Sequence, residues 1–109
     1  PAPLLESRLE ATREWLGGVD GERYSIQLMM TSPLGRRNLE DFLQRWNSAG
    51  DVTRVYVYLT TIGTAQWYGV LYDEFKSLQA AQAALARLPE SLKRHGPYVR
   101  NVRDISGFG

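Results

Sequence analysis

A chain of 109 residues without cysteine is long enough for one domain with an ordinary core, and it contains neither a disulfide nor a thiolate metal site. Its thirteen Lys and Arg residues against twelve Asp and Glu residues leave a formal net charge of +1, too small for strong steering toward nucleic acid or an anionic membrane. No apolar run reaches the roughly 20 residues of a membrane-spanning helix, and no signal peptide begins the chain.

The first predicted element is an amphipathic helix over residues 4–16. Leu5, Leu9 and Leu16 share one stripe of this helix, whereas its charged side chains lie elsewhere on the surface. The pair Gly17-Gly18 is expected to end it. A membrane-surface or partner-docking segment would show the same periodicity, but the polar face is net acidic, which argues against an anionic membrane. We therefore expect a helix that packs on its own domain.

Later segments of the chain alternate in the way that β-strands do, or repeat with helical periodicity. The strands are predicted near residues 24–30, 53–61, 66–72 and 98–103, and the helices near residues 37–47 and 78–88. A turn signal, Ile62-Gly63-Thr64, separates the two middle strands, so we expect these strands to form an antiparallel hairpin.

The order strand, helix, strand, strand, helix, strand over residues 24–104 is the split βαβ arrangement of ferredoxin-like and RNP-like folds. We predict an α+β fold of βαββαβ topology, with a four-stranded antiparallel sheet, two helices on one face of the sheet and an additional N-terminal helix. Residues 1–23 would be the N-terminal helix and linker, residues 24–104 the domain, and residues 105–109 a frayed C-terminus. The second sheet face is open unless the N-terminal helix or a partner covers it.

Alternation also predicts which side chains of the first two strands point to the open face. If the apolar row from Val55 to Leu59 faces the core, the residues between its members face outward. The outward-facing set on these strands is Ser25, Gln27, Met29, Tyr56 and Tyr58. The open face is therefore expected to be aromatic.

The third strand, residues 66–72, is ambiguous because both of its alternating rows are apolar. We place Trp67 outward, because the row that runs from Tyr68 to Tyr72 would form the larger and more continuous part of the core. The alternative makes Trp67 an ordinary core residue. On the fourth strand Tyr98 and Arg100 share a face, and we place both outward.

Four pieces of the chain stand in a characteristic order: Tyr24-x-Ile26-Gln27-Leu28, then Trp67-Tyr68 with Tyr72 and Phe75, then an alanine-rich helix ending at Leu88-Pro89, then Pro97-Tyr98-Val99-Arg100. Together they resemble a SPOR domain over residues 24 to about 104. The resemblance implies a periplasmic domain that binds septal peptidoglycan, in particular glycan strands stripped of their stem peptides. Such a domain recruits its host protein to the bacterial division site.

The resemblance also implies which residues contact glycan, namely Gln27, Trp67 and Tyr98. The fourth-strand position is often Trp in close relatives, and Met29-Met30-Thr31 stands where some members carry small polar residues. Sugars present apolar CH faces to aromatic rings, while their hydroxyl and N-acetyl groups need amide and guanidinium partners. The predicted glycan-binding residues are Gln27, Met29, Tyr56, Tyr58, Trp67, Tyr98 and Arg100.

The sequence predicts no catalytic, metal or cofactor site, and we expect a protein that is not an enzyme. The acidic pairs Glu40-Asp41 and Asp73-Glu74 consist of neighbours whose side chains diverge. His95 is the only histidine and lies in a Gly-Pro turn, so neither a multi-histidine metal site nor a Ser-His pair is formed. The phosphate-binding pattern G-x-x-x-x-G-K-[ST] is absent.

Other binding modules use the same topology. RNA-binding RRM domains stack bases on the same sheet face, and a local basic surplus favours that function: Lys93, Arg94, Arg100 and Arg103. However, the RRM third-strand motif is absent and the net charge is small. A protein-interaction module that uses the same face is the main alternative to glycan binding.

The partner that we expect is peptidoglycan glycan, with no nucleic acid and no membrane segment in this stretch. We expect a monomeric, periplasmic domain of a larger protein. Because the sequence begins at Pro1 rather than Met, we also expect its host to be anchored or exported by a segment that lies upstream.

Overall fold

A computed structural model of the chain describes residues 3–106, with the side chain of residue 106 excepted. The elements follow in the order α1 (Leu4–Gly18), β1 (Tyr24–Thr31), α2 (Arg36–Ser48), β2 (Val55–Ile62), β3 (Ala65–Phe75), α3 (Leu78–Ala86), α4 (Glu90–Lys93), β4 (Tyr98–Asn101) and α5 (Val102–Ser106). Short 3₁₀ turns, Pro33–Gly35 and Val52–Arg54, precede α2 and β2.

The strands form one sheet in the order β2-β3-β1-β4, and every neighbouring pair is antiparallel. β2 and β3 form the predicted hairpin, in which Ile62 pairs with Ala65 across a two-residue turn. Gly63 has the positive φ of 64° that such a turn requires at its first position. The α+β fold that the sequence predicted is therefore confirmed.

The larger core lies on the side of the sheet where α2 and α3 pack. Its buried members share the inward parity of their strands or the apolar stripe of their helices: Leu5, Ile26, Leu28, Leu39, Leu43, Val55, Val57, Tyr68, Val70, Leu88 and Leu92. Tyr68 and Val70 thus belong to the core row that was predicted for the third strand, and Tyr72 packs against it.

The opposite side of the sheet carries a second, smaller core. Tyr58, Leu71 and Ile105 are its buried members, with Trp15 and Leu16 of α1 packed against them. The predicted strand 98–103 instead ends at Asn101, and α5 follows it. Apolar residues three positions apart, Val102 and Ile105, both become buried in this helical turn.

The predicted frayed C-terminus is therefore wrong for Ile105, which is 0% exposed. Residues 107–109 of that segment lie outside the described residues. The expected end of the first helix also needs correction, because α1 continues through Gly17 and Gly18 and ends where Val19 becomes extended. The domain boundaries themselves stay a prediction.

Helix α1 crosses the free edge of β2 and supplies hydrogen bonds that a neighbouring strand would otherwise make. Arg8 Nε donates to the carbonyl oxygen of Val55 at 2.8 Å. The Thr12 hydroxyl oxygen accepts from the backbone N–H of Val57 at 2.9 Å. The first N–H groups of α1, those of Leu4 and Leu5, donate to the carboxylate of Glu40 on α2. The N-terminal helix is thus fixed both to the sheet edge and to a second helix.

Candidate ligand-binding face of the sheet

The sheet face opposite α2 and α3 is divided into two halves. In the covered half, near Leu71, α1 and α5 pack on the sheet and form the smaller core. The exposed half runs diagonally across the sheet, from the ends of β2 and β3 near their hairpin turn to β4, where Tyr98 lies in the same row as Leu71. Its outward-facing residues, one or two from each strand, are Met30, Thr60, Trp67, Tyr98 and Arg100. We refer to this second surface as the exposed half.

Tyr56 points to the predicted face but lies in the covered half. Its ring stacks on Trp15 with centroids 3.9 Å apart and an interplanar angle of 10°. The guanidinium of Arg8 lies 5.5 Å from the centroid of the same ring. Burial raises the pKa of the Tyr56 hydroxyl above its usual range. The expectation that Tyr56 forms part of an open surface is therefore wrong, because Trp15 of α1 covers its ring.

The border between the halves is a hydrogen-bonded belt that reaches across all four strands. Tyr58 leans from β2 over Gly69 of β3, and its hydroxyl donates to Gln27 Oε1 of β1 at 2.8 Å. From β4, the Arg100 Nη1 group donates to the Tyr58 hydroxyl at 2.9 Å and to Gln27 Oε1 at 3.0 Å. We call Tyr58, Gln27 and Arg100 the belt.

The belt depends on the missing side chain of Gly69. A Cβ atom at that position would overlap the ring of Tyr58. Burial raises the pKa of the Tyr58 hydroxyl, and the positive charge of Arg100 only partly opposes this shift. The hydroxyl therefore stays protonated at neutral pH and keeps donating to Gln27.

Gln27 lies on the predicted face but is 2% exposed. Its amide nitrogen donates to the carbonyl oxygen of Met29 at 3.0 Å, with longer contacts to Met30 Sδ at 3.4 Å and the Val70 carbonyl at 3.5 Å. The amide is thus surrounded by protein groups on both of its ends. Alternation predicted the direction of this side chain correctly, but it gave no measure of its depth.

The placement of Met29 on the open face is wrong. The register of β1 against β3 shifts between Gln27 and Met29, which marks a β-bulge. A bulge reverses the faces of the residues that follow it, so Met29 packs against the larger core and Met30 pairs with Gly69. Met30 thereby takes the outward position, and its side chain is 36% exposed.

Trp67 and Tyr98 are the aromatic rings of the exposed half. Trp67 of β3 is opposite Thr60 and precedes Gly69 by two residues. Because Gly69 is opposite Tyr58, Trp67 lies on the same face of the sheet as Tyr58. Tyr98 of β4 is opposite Gln27 and is 53% exposed. The strand between them carries Met30. The two positions are separated by two strand spacings across the sheet and, because Tyr98 pairs with Gln27 and Gln27 with Leu71, by four residues along β3, which together make roughly 15 Å. A ligand must therefore be longer than one sugar ring to contact both.

The remaining outward group of this surface is Thr60, which sequence analysis did not select. Thr60 is 6% exposed, and within residues 3–106 its hydroxyl oxygen is the buried side-chain polar atom without a hydrogen-bond partner. Alternation along β2 after Tyr56 and Tyr58 was the signal that pointed to it. The exposed half therefore combines aromatic, thioether, hydroxyl and guanidinium groups, and Arg100 is its charged member.

The helix side of the molecule carries a separate open cleft of about 490 Å³. Residues of α2 and of the α4 region line it, with the rings of Phe42 and Trp46 on one wall and His95 on the other.

Metal binding and membrane insertion are separate questions. In the described part of the chain, no group of three or more His, Asp or Glu side chains is placed to hold a metal ion. No helix among these residues is both long and apolar enough to cross a membrane.

The structure is that of a small ferredoxin-like domain with Trp67 and Tyr98 on one face of its sheet. A scan against protein families matches residues 20–101 to the SPOR domain, and the chain belongs to that family. SPOR domains bind peptidoglycan and target proteins to the division site, and they occur in cell-envelope proteins. A comparison with curated proteins found no match. Helices α1 and α5, which form the cover of the covered half, lie outside the matched residues.

Proposed function

We propose that the exposed half binds septal glycan strands that lack stem peptides and so brings a larger, periplasmic host protein to the division site. Membership of the SPOR family supports peptidoglycan as the ligand class. The observation that carries the proposal for this surface is the pair of rings, Trp67 and Tyr98, on one face with Arg100 beside them. Aromatic rings suit the apolar CH faces of sugars, and the domain acts as a non-catalytic monomer.

The charge of Arg100 supplies a physical reason for a preference for stripped strands. An amidase that removes a stem peptide hydrolyses the amide to the lactyl group of the sugar and leaves a carboxylate there. Each removal therefore places a carboxylate directly on the sugar, where an amide stood before. A guanidinium is well suited to a carboxylate, because the charge-assisted hydrogen bonds between them are stronger than neutral ones. Trp67 and Tyr98 would then supply contact area for the sugars, and Arg100 would supply the preference for strands without stem peptides.

The rings are tested by Trp67→Ala and Tyr98→Ala in a pull-down with amidase-treated sacculi, with thermal unfolding measured in parallel. If stacking on bases is a guide to stacking on sugars, each change costs about 1–3 kcal/mol of binding, or roughly 5- to 150-fold. The unfolding midpoint should change little. Leu78→Ala is the matched control, since Leu78 is 46% exposed on α3, away from this surface.

Two results would contradict the role of the rings. A steep fall in the midpoint of Trp67→Ala would show a core tryptophan, whose removal costs about 3–5 kcal/mol of stability. Unchanged midpoint and unchanged pull-down in both variants would show that this face does not bind glycan. A protein partner on the same face would then be the better proposal.

The role of Arg100 is tested by Arg100→Gln against sacculi with and without amidase treatment. We expect the variant to lose about tenfold or more in affinity for treated sacculi and much of the difference between the two preparations. A control with the same substitution at an exposed position is Arg37→Gln on α2. If Arg100→Gln keeps the full preference for treated sacculi, the carboxylate is not what the domain recognises.

A further inference from the structure

The side-chain amide of Gln27 lies in the middle of the proposed glycan site, but it is turned into the protein. It is 2% exposed, which makes it one of the most deeply buried polar side chains of the described residues. A group that binds sugar directly needs a donor or an acceptor that the ligand can reach. Gln27 instead makes hydrogen bonds to groups of all four strands.

The carbonyl end of this amide holds two side chains from the two edges of the sheet. Gln27 Oε1 accepts from the Tyr58 hydroxyl of β2 and from Arg100 Nη1 of β4. These strands are not neighbours of one another in the sheet order β2-β3-β1-β4. One acceptor thus fixes two long side chains, each of which would otherwise have several rotamers.

The amide nitrogen end holds the backbone of the β-bulge. Gln27 Nε2 donates to the carbonyl oxygen of Met29, inside the irregular step that turns Met29 inward and Met30 outward. The same nitrogen lies 3.4 Å from Met30 Sδ. The position of Met30 between Trp67 and Tyr98 is therefore coupled to the same amide.

We propose that Gln27 is a positioning residue, which fixes Tyr58, Arg100 and the bulge without itself contacting the ligand. The proposal rests on the proposed glycan-binding function of this face. It differs from what the resemblance alone implied, namely a direct contact between Gln27 and glycan. Its physical basis is that loss of the shared acceptor removes one hydrogen bond from Arg100 and one from Tyr58, so that the pair is held less firmly and binding must restore the lost order.

The test combines binding and free-protein measurements on Gln27→Met, Arg100→Gln and the double variant. If Gln27 acts through Arg100, the double variant should bind amidase-treated sacculi no more than about twofold more weakly than Arg100→Gln alone. If Gln27 contacts the sugar independently, the two losses multiply, and the proposal is overturned. Gln82→Met, at an exposed glutamine on α3, is the control for the substitution itself.

The free-protein arm follows the Nε–Hε signal of Arg100 and the ring signals of Tyr58 by NMR, without ligand. We expect both to shift and broaden in Gln27→Met and to stay unchanged in Gln82→Met. Unchanged signals in Gln27→Met would overturn the proposal whether or not glycan binds. If the unsubstituted chain does not bind sacculi, the proposed function fails, and this arm still decides whether Gln27 holds the two side chains.

A second variant guards against a general loss of folding in Gln27→Met. Gln27→Glu keeps acceptor oxygens for Tyr58 and Arg100 but removes the amide donors. We expect it to keep the Arg100 signal in place and to bind treated sacculi at least severalfold more tightly than Gln27→Met. Equal loss in both variants, at similar unfolding midpoints, would show that the acceptor bonds to Tyr58 and Arg100 do not account for the loss of binding, and would overturn the proposal.

Discussion

Gly69 is the residue on which the shape of the exposed half most depends. Its importance comes from space rather than from an unusual backbone angle, because the ring of Tyr58 occupies the volume where a Cβ would lie. Gly within a strand often marks such a close approach. Only with that space free can the Tyr58 hydroxyl cross β3 and reach Gln27.

Gly69→Ala is therefore expected to displace Tyr58 from the belt. Overpacking of this kind costs about 1–3 kcal/mol of unfolding free energy, which denaturant titration would measure. The cost should largely vanish in a Tyr58→Ala background, since the clash is with that ring. Gly17→Ala is the control, because no atom lies within 4 Å of the added methyl group and the residue is helical, where Ala is favoured. Additive effects of the two substitutions would contradict the proposed clash.

Sequence reasoning located individual side chains as far as simple alternation holds. Trp67, Tyr98 and Arg100 point to the expected face because their strands pair there without irregularity. Met29 does not point to the expected face, because a β-bulge interrupts the alternation and the local composition does not predict the bulge. The burial of Gln27 was equally hidden, since Tyr58 and Arg100 reach it from other strands. Depth below a surface is a property of tertiary packing rather than of one strand.

Among the elements, α1 is the one whose role the sequence least predicted. Its apolar stripe predicted packing on the domain, and Leu5 is indeed buried in the larger core. The polar contacts were not predictable, because Arg8 and Thr12 bind backbone groups of β2 about 45 residues further along the chain. Free strand edges are sites of unwanted pairing, so this helix also protects the sheet.

Glu40 is the electrostatic anchor of α1 and makes its docking dependent on pH. Although burial acts to raise the pKa of Glu40, the hydrogen bonds from the N–H groups of Leu5 and Leu4 and from the Gln44 side chain, with the charge of Arg36, lower it below its usual range. A lowered pKa means that the stabilisation is present above the unfolded-state value and is lost as pH falls through the folded-state value.

Glu40→Gln is expected to remove roughly 0.5–2 kcal/mol of stability at pH 7, the usual worth of a helix N-terminal cap. Because the carboxylate contributes when ionised, the difference from the unsubstituted chain should shrink as pH falls through the lowered folded-state pKa of Glu40. Urea unfolding at a series of pH values would measure it, with Glu10→Gln on the exposed side of α1 as the control. A difference that is constant with pH would show that the charge of Glu40 is not what anchors the helix.

The two helices outside the family match, α1 and α5, cover one half of the sheet face and leave the other half exposed. α1 and α5 meet on Leu71 and Tyr58 from opposite ends of the chain. The ββ hairpin and the βαββαβ order were readable from the sequence because each element has its own strong period. α5 was not, because a single turn with two apolar residues, Val102 and Ile105, does not repeat often enough to show a helical period.

A chain that begins at Glu22 tests whether α1 belongs to the binding site or only supports the fold. Helix α1 contacts the β2 edge, Glu40 and Glu74, and it packs on the smaller core. Trp67 and Tyr98 lie in the exposed half. Such a chain would lose the buried Leu5 side chain, and removal of a single core leucine alone costs about 2–5 kcal/mol. We therefore expect a clearly lower unfolding midpoint but the same affinity for amidase-treated sacculi, measured at a temperature where the shortened chain is folded.

Trp15→Ala in the full chain provides the same comparison without deletion. It removes the ring that stacks on Tyr56 and the indole N–H that donates to Glu74 Oε1 at 2.7 Å, while the rest of α1 stays. Because Tyr56 lies beyond the belt from Trp67, uncovering it should lower stability and leave binding to treated sacculi within about twofold. If the shortened chain is folded by circular dichroism but no longer binds, or if Trp15→Ala loses binding at an unchanged midpoint, then the glycan contacts extend into the covered half and α1 is part of the site.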